Sequence, residues 1–436
     1  MSATATDPNL QHLTKAREQI SQGDLKNAAL TLNKANRQWP QDPRVFMLGA
    51  LLAEKSGNVQ GAFDALRKSV ALAPDWGPGL LELALLLARQ NQFKEAVETA
   101  EKVAALEPKN LQVLAGVIDI AHRAGHTEMA IRHLRRGLEL VPGDLSLSRL
   151  LARDLSNQGE HAASVALWTE LVAAHPGDTS VHMGRIRACI AAGEPAQAQA
   201  NAEALLAIAP DDPVARYYDQ CTRGETPQRQ PVALVQELFD GMASLYDQHV
   251  VRGLRYQLPK QVAEQLLAHY PDRNINVLDL GCGTGLLGVS LGPLQGHLIG
   301  VDVSRPMIEQ AARHNLYSRF HTVDMHDALR ETPEGLYQVV AALDLFSYAG
   351  SLTEAIPHAL RLLAPGGTFV VSCEPAAEDG ADMVLQTNGR YAHKLSHVKV
   401  QCQAAGFASV DVQDTVLWYE NNEPVHGFVV TARKAT

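Results

Sequence analysis

Five cysteines in 436 residues, Cys189, Cys221, Cys282, Cys373 and Cys402, share no C-x-x-C spacing. That scatter excludes a disulfide framework and a cysteine-based zinc site, and no metal is expected. Apolar runs of about eighteen residues, long enough to span a bilayer, are missing. The N-terminus lacks the apolar core of a signal peptide and reads as helical, so a cytoplasmic location without membrane contact is the expectation. Basic charge is not in excess either, the formal net charge being −10. Nucleic acid is therefore not expected as a partner, because phosphate contacts need concentrated Lys and Arg. Aromatic residues make up only 5% of the chain, too few to mark a particular substrate pocket.

What is present is a globular composition, 46% hydrophobic and 20% charged, over a length that calls for two or three cores. The first half is periodic. Prolines stand at Pro40, Pro74, Pro108, Pro142, Pro176 and Pro210, each 34 residues after the last. Twelve residues before each proline lies a small residue: Ala28, Ala62, Ala96, Ala130, Ser164 and Ala198. Five residues before those come Gly23, Gly57, Asn91, Gly125, Gly159 and Gly193. Proline closes the second helix of a pair, glycine or asparagine makes the left-handed turn between helices, and the small residue lets the helices approach.

This period resembles the tetratricopeptide repeat, in six units over about residues 9–212, within an all-α solenoid expected over residues 1–222. Such units bury apolar faces only against their neighbours and leave a concave groove. In the family's register the groove positions include Arg17, Lys55, Arg89, Arg123, Arg149, Arg153, Asn157 and Arg187. The arginines Arg89, Arg123, Arg149, Arg153 and Arg187 are candidates to hold an acidic protein or peptide, since Arg offers carboxylates a planar fork. The alternative is an ordinary solvated surface, with these arginines paired to Asp119 and other acids.

Residues 223–231, RGETPQRQP, are polar and proline-broken, as a linker should be. A second domain is expected over 232–436, opened by a helical cap at 232–270. From residue 276 short apolar strands alternate with helices, which implies a mostly parallel sheet covered on both faces. The tail SVDVQDTVLWYENNEPVHGFVVTARK reads instead as a hairpin turning at Asn421-Asn422.

The stretch VLDLGCGTGLLG, Val277–Gly288, is a strand, a glycine-rich turn and the start of a helix. Gly283–Gly288 fits the dinucleotide pattern G-x-G-x-x-G, with Asp302 near the place of its ribose-binding acid. Asp279 argues against a dinucleotide, because a carboxylate beside a pyrophosphate repels it. S-adenosylmethionine has no phosphate and brings an ammonium and a sulfonium. The acid before the glycines, the terminal hairpin and the A-P-G-G turn before the fifth strand together resemble class I S-adenosylmethionine-dependent methyltransferases, with their α/β Rossmann-like fold. LYDQHV, LRYQLP, LDLGCGTGLLG and GRYAH, in this order, narrow the resemblance to a bacterial group of predicted methyltransferases that carry N-terminal tetratricopeptide repeats. Gln338 departs from the group, which usually has Asp there.

The resemblance implies S-adenosylmethionine as cofactor and assigns roles by position. Gly281, Gly283 and Gly285 let the chain wrap the methionine part, with Asp279 reaching its ammonium. Asp302 accepts the ribose hydroxyls, Asp324 the adenine amino group, and Met325 lies against the ring. Leu343 and Asp344 end the fourth strand where the methyl group emerges, and Tyr246 closes the pocket. Asp324 could instead be a helix N-cap, and Cys282 is a small filler. GRYAHKLSHV, Gly389–Val398, is expected to fold over the pocket as a lid that brings Tyr391 and His393 to the acceptor, with Asp344 and Glu374 as further catalytic candidates. His393 is the one candidate whose ordinary pKa suits a base near neutrality; the alternative is that Tyr391 and His393 pack and hydrogen-bond within the lid without chemistry. The expected function is methyl transfer to a protein, peptide or carrier-bound acceptor presented by the repeats. The alternatives are a small-molecule O- or N-methyltransferase whose repeats serve assembly, and a non-catalytic scaffold with a cofactor-binding module.

Overall fold

The computed structural model describes residues 7, 9–420 and 422–436. Its contacts divide the chain into two compact units, residues 1–208 and 209–436. Helix α13 (Pro213–Thr222) and the segment expected to be a linker therefore group with the second unit.

Among the described residues of the first unit, twelve helices, α1 to α12, run in six pairs from Leu10 to Ile208. The periodic residues do what their chemistry suggests. Gly23, Gly57, Gly125, Gly159 and Gly193 turn the chain between paired helices at φ of +69° to +85°, and Asn91 does so at +59°. Ala28, Ala62, Ala96, Ala130 and Ser164 have no exposure at all, and Ala198 has 1%. Each proline also sits two residues ahead of a helix N-cap position. Asp42, Asn110, Asp144 and Asp178 there accept backbone N–H bonds, so the repeat carries a side-chain N-cap that its proline spacing did not reveal.

The second unit is a sheet with helices on both faces. Its main strands are β1 (Val277–Leu280), β2 (Leu298–Asp302), β3 (Arg319–Thr322), β4 (Tyr337–Ala342) and β5 (Leu363–Pro375). Strands β6 (Met383–Leu385), β7 (Tyr391–His393), β8 (Ser409–Glu420) and β9 (Glu423–Arg433) follow. The order is β3-β2-β1-β4-β5-β7-β6, with β9 also pairing β5 and β8 pairing β9. Strands β1 to β5 are mutually parallel, whereas β9 runs antiparallel to β5 and β8. This is the expected parallel sheet with a terminal antiparallel pair. Asn422 lies at the hairpin turn with φ +66°, and Asn421 lies outside the described residues.

The glycines of A-P-G-G form an irregularity at the start of β5, between its pairs Tyr337↔Leu363 and Val339↔Thr368. The core lies where the central strands meet the flanking helices, with Val339, Val340, Phe346, Ile356 and Val430 fully or almost fully buried. Chain order reverses between β1 and β4, and a crevice opens at the carboxyl ends of strands at such a point.

Candidate functional site

Acids mark that carboxyl edge strand by strand. Asp279 is in β1, Asp302 ends β2, Asp324 follows β3, Asp344 follows β4 and Glu374 lies near the end of β5. A cavity of about 1120 Å³, counting the space at its mouth, opens there, and four of the five acids line it. Glu374 does not.

The glycine turn is tied to β2: the N–H groups of Gly281 and Cys282 both donate to Val301 O, at 2.8 and 3.0 Å. Gly283, at φ +53°, lines the cavity with no atom near the place a Cβ would take. That bare, left-handed position is a cradle that a ligand can approach closely. Gly281 lines the cavity too, but Gly285 does not. A Cβ on Gly285 would press within 3.1 Å of Ala311 and Tyr317, so this glycine serves packing instead of wrapping a ligand.

Asp302 is held by two backbone donors, Gly283 N and Ser304 N, each at 2.8 Å. Burial raises its pKa against the pull of those bonds. Asp279 is 3% exposed and accepts from the Tyr317 hydroxyl at 2.6 Å. Burial pushes its carboxyl up to about 7, the Tyr317 bond opposing. Asp324 caps helix α18 (Met325–Glu331), accepting from His326 N at 2.9 Å, and also lines the cavity beside Met325. The cap and the cavity position coexist. Burial raises the Asp324 pKa, yet the bonds from His326 outweigh it and the net shift is downward.

Asp344 is the strained residue of the site, at φ +53° in a region that non-glycine residues seldom occupy. Its N–H donates to Ser372 Oγ at 2.7 Å, and the Ser372 hydroxyl donates to its carboxylate at 2.8 Å. Tyr256 donates to the same carboxylate, and burial still raises its pKa to about 6. Leu343 and Tyr246 line the cavity beside it.

The expected lid is not formed by residues 389–398. Strand β7 instead extends the sheet, with Glu374↔Ala392 paired in parallel. Tyr391 is completely buried, and burial raises its pKa. His393 is 3% exposed and its Nε2–H donates to Phe346 O at 3.2 Å. Burial lowers its pKa to about 4, despite that bond. Neither residue reaches the cavity, so the base expected at His393 is corrected: the ring is neutral, bonded and turned into the core. Glu374 is likewise taken, by Arg390 at 2.6 Å and Gln386 at 2.9 Å.

The cover comes from earlier in the chain. Arg229 and Gln230, in the expected linker, line the cavity together with Val232, Val235 and Phe239 of helix α14 (Val232–Met242). Phe239 makes edge contacts with Tyr246 and Tyr348, at 6.2 and 5.0 Å between ring centres. Two short bonds fasten this cover to the glycine turn and the β2 end: Thr284 Oγ to Asp247 at 2.5 Å, and Ser304 Oγ to Asp240 at 2.6 Å. Sequence reasoning missed Phe239, Tyr256, Tyr317 and Ser372. Tyr256 lies in the quoted LRYQLP, but single polar residues outside the glycine turn carry no spacing signal.

In the repeats, four of the five candidate arginines interact with neighbouring acids. Arg89 bonds Glu54 at 2.8 and 3.1 Å, Arg123 bonds Asp119 at 2.8 Å and Arg153 bonds Asp154 at 3.1 Å. Arg149 acts on Asp178, and Arg187 is not free.

Residues 250–411 match the model of a methyltransferase domain, and residues 13–75, 81–144 and 149–213 match a tetratricopeptide repeat model. The chain is a tetratricopeptide-repeat region followed by a class I S-adenosylmethionine-dependent methyltransferase domain. The methyltransferase domain is 35% identical over 134 residues to human "Methyltransferase-like protein 27", covering 30% of this chain and 53% of the relative. It is 32% identical over 141 residues to "Ubiquinone biosynthesis O-methyltransferase" of Burkholderia vietnamiensis (strain G4 / LMG 22486), covering 30% and 60%. The chain thus spans between half and three fifths of the length of these two curated relatives. Magnesium protoporphyrin IX methyltransferase from Synechocystis PCC 6803, solved with bound S-adenosylmethionine, aligns with TM-score 0.38 and 18% identity over 48% of this chain and all of that one. The repeat protein YrrB, described as having an unusual peptide-binding site, aligns with TM-score 0.37 and 16% identity over 43% of this chain and 97% of its own.

Class I methyltransferases use S-adenosylmethionine, and the cavity suits it. A bare glycine cradle and a buried acid with a raised pKa, Asp279, answer an amino-acid moiety. Asp302 keeps acceptor capacity beyond its two backbone bonds. No helix among the described residues is long and apolar enough to cross a membrane.

Proposed function

We propose that the protein transfers the methyl group of S-adenosylmethionine to an acceptor that the repeat region recruits, a protein, peptide or carrier-bound molecule. The observation that carries the reading is the row of acids across one cavity, with a cradle at one end and aromatic rings at the other. In this reading Asp279 and the turn at Gly281–Gly283 hold the methionine part, Asp302 the ribose, and Asp324 with Met325 the adenine. Gly285 shapes the turn from behind. Leu343 and Tyr246 bound the space where the acceptor meets the cofactor. Asp344 replaces His393 as the group that orients the acceptor and takes its proton, having the more suitable pKa and an open face on the cavity. The cofactor supplies an activated methyl on a good leaving group. The chain supplies position and exclusion of water, through Phe239 and Tyr246 above the site.

The arginine pairs of the repeats are compatible with recruitment. An exposed pair such as Arg123–Asp119 contributes at most about 1 kcal/mol, so an incoming carboxylate can replace the neighbouring one there at little cost, whereas Asp154, the partner of Arg153, is 2% exposed and stays in place.

A second reading, a small-molecule O- or N-methyltransferase, draws on the name of the Burkholderia relatives. The two are separated by feeding the full-length protein labelled S-adenosylmethionine with a cell extract split by ultrafiltration. Label should enter the macromolecular fraction, and that incorporation should fall with Arg149→Glu and Arg153→Glu together. Label entering only the low-mass filtrate would reject recruitment.

A further inference from the structure

Resting on the methyltransferase reading, the geometry of the cavity speaks to the acceptor itself. Its two ends differ in charge. Among the described residues lining it, the basic side chains are Arg229 and His326. Both act on Asp324, at the β3 end. The β4 end carries Asp344 and no lysine or arginine. The arginine whose charge acts on it, Arg390, is shared between Glu374 at 2.6 Å and Glu420 at 2.9 Å. That cluster of one base and two acids leaves Asp344 unneutralised.

The walls at this end are rings. Phe239 is the hub, with Tyr246 and Tyr348 set edgewise against it, and Tyr256, also lining the cavity, donates to Asp344. A buried carboxylate among aromatic rings attracts a cation twice over, through its own charge and through the ring faces. It repels an anion. We infer that the acceptor end of this cavity takes a primary or secondary amine that enters as an ammonium, so that the methyl group is transferred to nitrogen.

The tyrosines lining the site report independently on its other option. Tyr246, Tyr256 and Tyr348 are phenols in the space the acceptor would use. All three are held above the ordinary phenol pKa, by burial first and by the Asp344 charge as well. A phenol, enol or carboxylic acid brought here would resist forming the anion it needs for attack. An amine has no such requirement, because it reacts as the neutral base. The ammonium gives one proton to Asp344. The nitrogen lone pair then forms the N–CH3 bond as the S–CH3 bond breaks, with its electron pair left on sulfur. The product is again a cation, held where the first one was.

The test uses three probes of one shape and different charge, benzylamine, benzyl alcohol and benzoate, titrated into full-length protein saturated with S-adenosylhomocysteine at pH 7.5. Benzylamine should bind on the order of tenfold more tightly than benzyl alcohol, and benzoate more weakly than either. Asp344→Asn should erase the preference for the cation. Equal or tighter binding of the alcohol or the acid, no binding of benzylamine, or a preference that survives Asp344→Asn overturns the inference. The wild-type comparison decides by itself if the variant does not fold. Should S-adenosylhomocysteine fail to bind the wild type, the methyltransferase reading falls and takes this inference with it. Its binding together with indifference among the probes overturns the amine assignment alone.

Discussion

Asp279 is an acid placed where an acid is uncomfortable. Its carboxyl is almost wholly buried and its pKa rises from 3.8 to about 7. The folded chain without ligand therefore binds a proton between about pH 4 and 7 that the unfolded chain does not. Stability contributed through this group falls as pH rises across that window, by about 4 kcal/mol in all. Asp279→Asn should flatten this slope, so the variant should melt higher than wild type at pH 8 and gain little at pH 4, measured by calorimetric melting without ligand. A variant that is less stable at pH 8 would contradict the assigned burial cost. Asp279, Asp302 and Asp344 were legible in the sequence because strand ends in an alternating α/β pattern are predictable places. Their partners Tyr317, Tyr256 and Ser372 were not, since each arrives from an element whose approach depends on packing. The same limit explains His393: its identity suits a base, and only burial against Phe346 shows that it is not placed as one.

At the scale of elements, the 34-residue period made the turn within each helix pair of the repeats legible, because each of these needs a left-handed residue and chain spacing alone reveals it. The cover of the cavity left no such trace. Residues 228–231 look like any proline-broken linker, and α14 has no fully buried residue. Its described attachments include Gln228 O accepting from Ser351 N at 2.8 Å, Gln230 reaching Gly389 O at 2.5 Å, and Asp240 accepting from Ser304. An element so held opens locally at low free energy. Amide hydrogen exchange in residues 232–247 should therefore be fast in the free protein and slow by at least about tenfold when S-adenosylhomocysteine is added. Unchanged exchange there, with binding verified in the same sample, would remove α14 as the cover.

For the whole molecule, one chain joins a helical repeat region to a methyltransferase domain with a cavity for a small cofactor. The repeat core and the sheet core are separate, and each explains its own unit. The central claim is that the cavity at the carboxyl edge binds S-adenosylmethionine through the acids that line it. It is tested most directly by calorimetric titration of the full-length protein with S-adenosylhomocysteine, set beside Asp302→Ala and beside NAD. The account predicts one site per chain, affinity weakened at least about tenfold by Asp302→Ala, as the loss of a charge-assisted hydrogen bond implies, and no heat with NAD. NAD binding, or S-adenosylhomocysteine binding that is indifferent to Asp302, would contradict it.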